Sequence, residues 1–282
     1  MTRQKHREGY RDERGAEPGK EWNEKRKSRR RRNRRKARIR FLASMLGTLL
    51  GAVLLVLVAY TALNLFCGFG KANTQKLREQ GYPESLIALV ERNPETKDFV
   101  LDYPKYKGLE EIDISKEVTK GEIPHFLQWD ERWGYETYGS DFLAVTGCGP
   151  TSLSMVVCGL TGDTKWNPYE VAKMAEDNGY YVDGSGSSWE LMSSGAEKLG
   201  LTVSSVIFDA EHIRATLESG QPIICVMGPG DFTDAGHFLV LTGVDQEGNI
   251  ILQDPNSVER TKQHWDVQKL MNQMKNLWSY RV

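Results

Sequence analysis

A cysteine framed by glycines, Gly147-Cys148-Gly149-Pro150-Thr151-Ser152, opens the apolar run Leu153 to Gly159. A cysteine just ahead of a helix sits among backbone N–H groups with no intrahelical partner. These groups and the helix dipole favour thiolate over thiol. The glycines let a substrate backbone approach closely, and Pro150 suits a first helical turn, where its missing N–H costs nothing. A small buried cysteine is the plain alternative. The other three cysteines are Cys67, Cys158 and Cys225, too few and too irregularly spaced for a disulfide scaffold or a CxxC metal site. Cys225 lies within Ile223-Ile224-Cys225-Val226 and reads as core. Cys158 is ten residues along the expected helix, about 15 Å from Cys148, beyond the about 7 Å that a disulfide tolerates between Cα atoms.

A nucleophilic thiol needs a base, and the histidines are His6, His125, His212, His237 and His264. His6 falls in a charged head, His212 in the first turn of a polar helix and His264 in a polar stretch, while His125 begins an extended segment and is ambiguous. His237 starts the apolar strand Phe238-Leu239-Val240-Leu241 directly after Ala235-Gly236. A satisfied core histidine is the alternative there. Asp254 favours the functional reading. Asp245-Gln246-Glu247-Gly248 is a hairpin turn signal, and folding there sets residues near 239 opposite residues near 254. His237 and Asp254 then share one end of the hairpin, where cross-strand and diagonal neighbours are within side-chain reach. A carboxylate beside an imidazole fixes its tautomer and stabilises the imidazolium. Asp254-Pro255-Asn256 could also be a plain turn. The oxyanion formed when a thiolate attacks a carbonyl needs donors. The Cys148 N–H supplies one, and Gln128, a polar side chain in His125-Phe126-Leu127-Gln128-Trp129-Asp130, is the candidate for a second.

The elements that must position these groups are legible from pattern. A buried helix is expected over 148–159. Asn167-Pro168 opens another, closed by Gly179. Ser187 with Glu190 three residues on reads as a capping box for a helix ending at Gly200, and Asp209 caps one that stops at Gly220. Strands follow at 222–227, 237–244 and 249–253. Helices first and an antiparallel sheet after give an α+β fold.

Charge is unevenly distributed. Residues 1–40 carry 18 Lys/Arg against 6 Asp/Glu, so a net charge of −1 hides a basic head and an acidic body. The head has too little apolar content to fold alone and is expected to be disordered and cytoplasmic. Residues 41–66, FLASMLGTLLGAVLLVLVAYTALNLF, contain no charge and exceed the about 20 apolar residues a membrane-spanning helix needs. Gly47 and Gly51 form a GxxxG there, a weak signal for helix pairing. A cleaved signal peptide fits poorly, because the apolar stretch is too long and no small-x-small site closes it. The basic flank is a topology signal that keeps the N-terminus cytoplasmic and the body outside the cell, rather than a nucleic-acid site. Residues 67–120 read as an extracellular stalk, with a short amphipathic helix over 83–92 and irregular linker after it. The folded domain is expected over 121–282.

Over roughly 121–280 the sequence resembles the C39-like cysteine peptidases of bacteria, relatives of the bacteriocin-processing peptidases. The matching stretches are Gln128-Trp129-Asp130 through Trp133-Gly134, Gly147 to Ser152, Gly236-His237-Phe238 with Leu241-Thr242-Gly243, and Asp254-Pro255-Asn256-Ser257. The resemblance implies a papain-like fold, with Cys148 as nucleophile, His237 as base, Asp254 as the orienting acid and Gln128 as an oxyanion donor. It implies hydrolysis of a peptide or amide bond in a peptide or protein substrate, without metal or organic cofactor. No transporter or ATPase follows here, unlike in the bacteriocin processors. Two rivals keep the fold: a surface module that binds peptide or wall polymer without catalysis, and an amidase that cuts cell-wall stem peptides. A nucleic-acid binder using the basic head is a third.

Overall fold

A computed structural model describes residues 18–282, with some side chains before residue 73 left out. The chain divides into two units, residues 1–72 and 73–282. Helix α1 runs from Pro18 to Glu79. Residues 18–40, expected to lack structure, are helical; Arg, Lys and Glu are good helix formers, and propagation adds a hydrogen bond per residue once a helix is nucleated. The part of the expected disordered head before residue 18, with His6, lies outside the described residues, as does the Cys67 side chain. The predicted 41–66 segment is helical, and its described apolar side chains, such as Phe41, Leu46, Leu50, Leu54 and Leu57, are exposed. Among the described residues, no helix is long and apolar enough to cross a membrane.

The expected stalk is not a spacer. From Asn73 onward it belongs to the folded unit. Helix α2 (Glu84–Arg92) is followed by a 3-10 turn, Pro94–Thr96, and by helix α3 (Lys97–Asp102). Leu77, Leu86, Ile87, Leu89, Phe99 and Val100 form a buried cluster with Tyr135 and Ala144. Phe99 stacks on Tyr135 at 4.2 Å, and the Tyr135 hydroxyl donates to the Phe99 carbonyl at 2.6 Å. The amphipathic helix expected over 83–92 is α2, whereas the part after it reads as linker because the 3-10 turn and α3 are too short to show a period.

The short strands β1 (Thr137–Tyr138) and β2 (Asp141–Phe142) pair with each other and lead into α4 (Leu143–Thr146). The predicted central helix follows as α5 (Cys148–Thr161), buried through most of its length and ended by Gly162 at φ 78°. Helix α6 (Pro168–Asp177) starts as expected, with the Asn167 side chain accepting from Tyr169 N and Glu170 N. Strands β3 (Tyr181–Val182) and β4 (Gly186–Ser187) form a small hairpin. The expected capping box at Ser187 is not formed. Ser187 lies in β4 and bonds the Tyr138 hydroxyl at 2.9 Å, and a 3-10 turn (Trp189–Met192) and α7 (Ser194–Lys198) replace the single predicted helix. A tertiary hydroxyl partner outcompetes the local cap here.

The rest is sheet and covering helices: β5 (Thr202–Ser205), α8 (Ala210–Glu218), β6 (Ile223–Met227), β7 (His237–Val244), β8 (Ile250–Gln253), α9 (Val258–Thr261), α10 (Val267–Met271) and β9 (Met274–Arg281). The five strands order as β5-β9-β6-β7-β8, antiparallel throughout. Alternation along β6 divides two cores. Ile224 and Val226 join Leu153, Met155 and Val156 of α5, while Ile223, Cys225 and Met227 join Ile213 of α8 and Leu270 of α10. The α+β expectation holds. Strands β5 and β9 were not foreseen, although β9 is the second strand in the order.

Candidate active site

Three segments meet at one end of the sheet. Cys148 is the first residue of α5, His237 the first of β7, and Asp254 directly follows β8. The β7–β8 register pairs Val240 with Gln253 and Leu241 with Leu252. Continued one step, it sets Asp254 opposite Leu239 and diagonal to His237, as the hairpin argument required. His237 Nε2 lies 2.7 Å from Asp254 Oδ1, and both side chains are buried. With Nε2 taken by the carboxylate, Nδ1 is the ring nitrogen left for the Cys148 sulfur. The Cys148 side chain and the His237 ring act on each other electrostatically, each favouring the charged form of the other.

Electrostatics favour an ion pair. Burial pushes the Cys148 thiol up, but the His237 ring and the backbone N–H groups of Phe238 and Gly149 outweigh it, and the thiol is held below its ordinary value. Burial alone would discharge His237, but Asp254 and Cys148 reverse this and raise its pKa to about 10. Asp254 is opposed by burial, and His237, Arg260 and the Asn256 N–H hold it below the usual carboxylate range. Cys158 contrasts with Cys148: it is buried, and burial pushes its thiol up to about 12. Cys225, also buried, is shifted upward by burial as well.

Gln128 is buried beside the thiol's helix. Its Nε2 donates to Ala144 O at 2.7 Å, and its own backbone N–H donates to Pro255 O at 2.7 Å. Ala144 O is the carbonyl that an unbroken helix would offer to the Cys148 N–H. Gly147, at φ −88° and ψ 13°, separates α4 from α5, and Gln128 takes that carbonyl. Gln128 therefore ties the Cys148 end of the site to the Asp254 end, with one amide hydrogen committed. Its Oε1 is buried without a hydrogen-bond partner among the described residues.

The glycines around the sulfur are required by close approach. A Cβ on Gly147 would lie 2.4 Å from Leu143 O, and one on Gly149 would lie 2.4 Å from Ser187 Oγ. The aromatic motif before the site is structural. Trp133 is fully buried with its Nε1 donating to Leu127 O at 2.9 Å, and Trp129 Nε1 reaches Asn256 O at 3.2 Å.

Near the carboxylate, Arg260 escaped the sequence reading, and His125 was left ambiguous by it. Arg260 Nε bonds Asp254 Oδ2 at 2.5 Å. His125 Nε2 lies 2.8 Å from Asp254 O, and burial lowers its pKa. The only sequence signal for Arg260 is its place three residues after Ser257, which caps α9 by accepting from Arg260 N. Neither His212, paired with Asp209, nor His264, paired with Asp245, is buried.

No curated protein matches the chain. Among solved structures, a crystal structure from Bacillus anthracis described as C39-like peptidase aligns at 19% identity and a TM-score of 0.34, covering 58% of this chain and 97% of that one. The Peptidase_C39 like family matches residues 120–282. That span is more than half of the sequence, and the chain belongs to the Peptidase_C39 like family.

Proposed function

We propose that this protein is a membrane-anchored cysteine peptidase that hydrolyses a peptide or amide bond outside the cell, using Cys148, His237 and Asp254. The observation that carries the reading is the buried 2.7 Å bond between His237 Nε2 and Asp254 Oδ1, beside a Cys148 thiol that the His237 ring holds low. In this mechanism the Cys148 thiolate attacks the scissile carbonyl carbon. The carbonyl oxygen takes the negative charge and is held by the Cys148 N–H, the orphan donor of a helix start, and by the second amide hydrogen of Gln128. The C–N bond then breaks, and His237 Nδ1 gives its proton to the leaving amine. Water attacks the thioester while His237 takes a proton from it, and the acid departs with the thiolate restored. Asp254 keeps the ring oriented and its imidazolium stable throughout.

A thiol-directed peptide probe tests the chemistry. It should label Cys148 in the native chain ahead of Cys158 and Cys225, and Cys148→Ala should lose the label. Equal labelling of all three under native conditions would leave a binding module as the better account.

The anchor is supported by the charge-free stretch at 41–66, the exposed apolar side chains described there and the basic flank before it. The chain should stay with membranes after alkaline carbonate extraction, and protease added outside cells should reach residues 73–282. Release by carbonate would remove the anchor and leave the peptidase reading standing.

A further inference from the structure

The family match begins at residue 120, yet the Asp254 end of the site is fastened from before that residue. Glu95, half-buried, lies in the turn between α2 and α3. Its Oε1 accepts the Ser257 hydroxyl, and its Oε2 accepts from Val258 N at 2.8 Å and Glu259 N at 3.3 Å. Ser257 Oγ accepts in turn from Arg260 N at 3.0 Å. These N–H groups open α9 and have no partner inside it. Asn93 holds the preceding residue: its Nδ2 donates to Asn256 O at 2.6 Å and to Asn256 Oδ1 at 3.2 Å, and its Oδ1 accepts from Glu95 N at 3.1 Å. Residues 93–95 thus grip 256–260. From that gripped stretch, Asn256 N donates to Asp254 Oδ1 at 2.8 Å and Arg260 Nε to Asp254 Oδ2 at 2.5 Å.

We propose that Glu95 is a positioning residue for this site. It is a carboxylate supplied by the segment before the family domain, and it holds 257–260 so that Arg260 and Asn256 fix Asp254 and, through it, the His237 ring. The inference rests on the Cys-His-Asp reading above. Hydrogen bonds to a carboxylate are roughly twice as strong as neutral ones, and in metal sites removing the group that orients a ligand typically costs about 10- to 100-fold, the scale expected of a group that orients a catalytic carboxylate. Residues 73–119 are on this account part of the enzyme rather than a tether.

The test is iodoacetamide alkylation of Cys148 in the full-length chain, followed by mass spectrometry between pH 5 and pH 9, a range set about the ordinary thiol and imidazole values. Glu95→Ala removes both acceptors. Glu95→Gln keeps the bulk but turns a donor amide toward an N–H or hydroxyl that needs an acceptor. Both variants should stay folded by circular dichroism, alkylate Cys148 about tenfold more slowly at the acid end and show a higher midpoint. A folded Glu95→Gln protein with wild-type rate and midpoint would overturn the proposal, because packing alone would then account for Glu95. Should neither variant fold, Ser257→Ala cuts the same link from the other side and decides by the same criterion. If the unmutated chain titrates as an ordinary thiol, the Cys-His-Asp reading itself fails, a result visible before any variant is made.

Discussion

His237 and Asp254 are joined through Nε2 and Oδ1 at 2.7 Å, and Arg260 occupies the other carboxylate oxygen at 2.5 Å. The carboxylate is wholly buried, so each oxygen has one cationic or ionisable neighbour in a place where an unpaired charge is costly. Asp254→Asn should therefore do two things. Peptide turnover should fall about 10²- to 10⁴-fold, the range of positioned acid–base catalysis. Stability should fall by about 2–3 kcal/mol, since the Arg260 charge loses its partner. Urea melts read beside turnover would check both; an unaltered rate would remove Asp254 from the mechanism.

Cys148→Ala and His237→Ala should each reduce turnover by about 10⁵-fold or more, because residues acting as a unit fail together. The double variant should be no worse than either single one. Cys148→Ala exchanges a partly exposed side chain for a smaller one, so its melting temperature should stay within a few degrees of wild type. Additive losses in the double variant would break the proposed coupling.

The rate should follow a bell in pH. On the acid side it falls as the Cys148 thiolate takes a proton, and because that thiol is held low, this limb lies below the ordinary thiol range. On the alkaline side it falls as His237 loses the proton it must donate, near pH 10. The two limbs belong to the pair rather than to either residue. In Asp254→Asn the alkaline limb should move down, since the carboxylate that raises His237 is gone. A pH–rate series for kcat/KM measures this.

Gly149→Ala would place a Cβ 2.4 Å from Ser187 Oγ and 2.7 Å from Ser187 Cβ. Ser187 is held by Tyr138 at 2.9 Å in the β4 strand, so the hairpin must move. A loss of about 1–3 kcal/mol is expected, together with weaker activity, because the hairpin closes on the start of α5. Thermal melts and turnover of the same preparation test it.

Phe99→Ala should cost about 3–5 kcal/mol, since Phe99 is buried, stacks on Tyr135 and lies against the tight Gly134. A chain begun at residue 120 should likewise melt below one begun at residue 73, because it exposes Tyr135 and Ala144. Equal stability would restore the stalk as a passive spacer.

The sequence by itself determined what short-range rules reach. The helix behind Cys148, the caps at Asn167 and Asp209, the 245–248 turn and the meeting of His237 with Asp254 all follow from local patterns, because a hairpin fixes its register through its own turn. Tertiary structure decided the rest. Strand β9 was invisible because its neighbours, β5 and β6, lie far from it in sequence, and Ser187 left its predicted cap for the Tyr138 hydroxyl. Glu95 finds the Asp254 loop only after segments some 160 residues apart are packed together. A pairing of that kind is set by the shape of the buried surface between the segments, which no window along the chain contains.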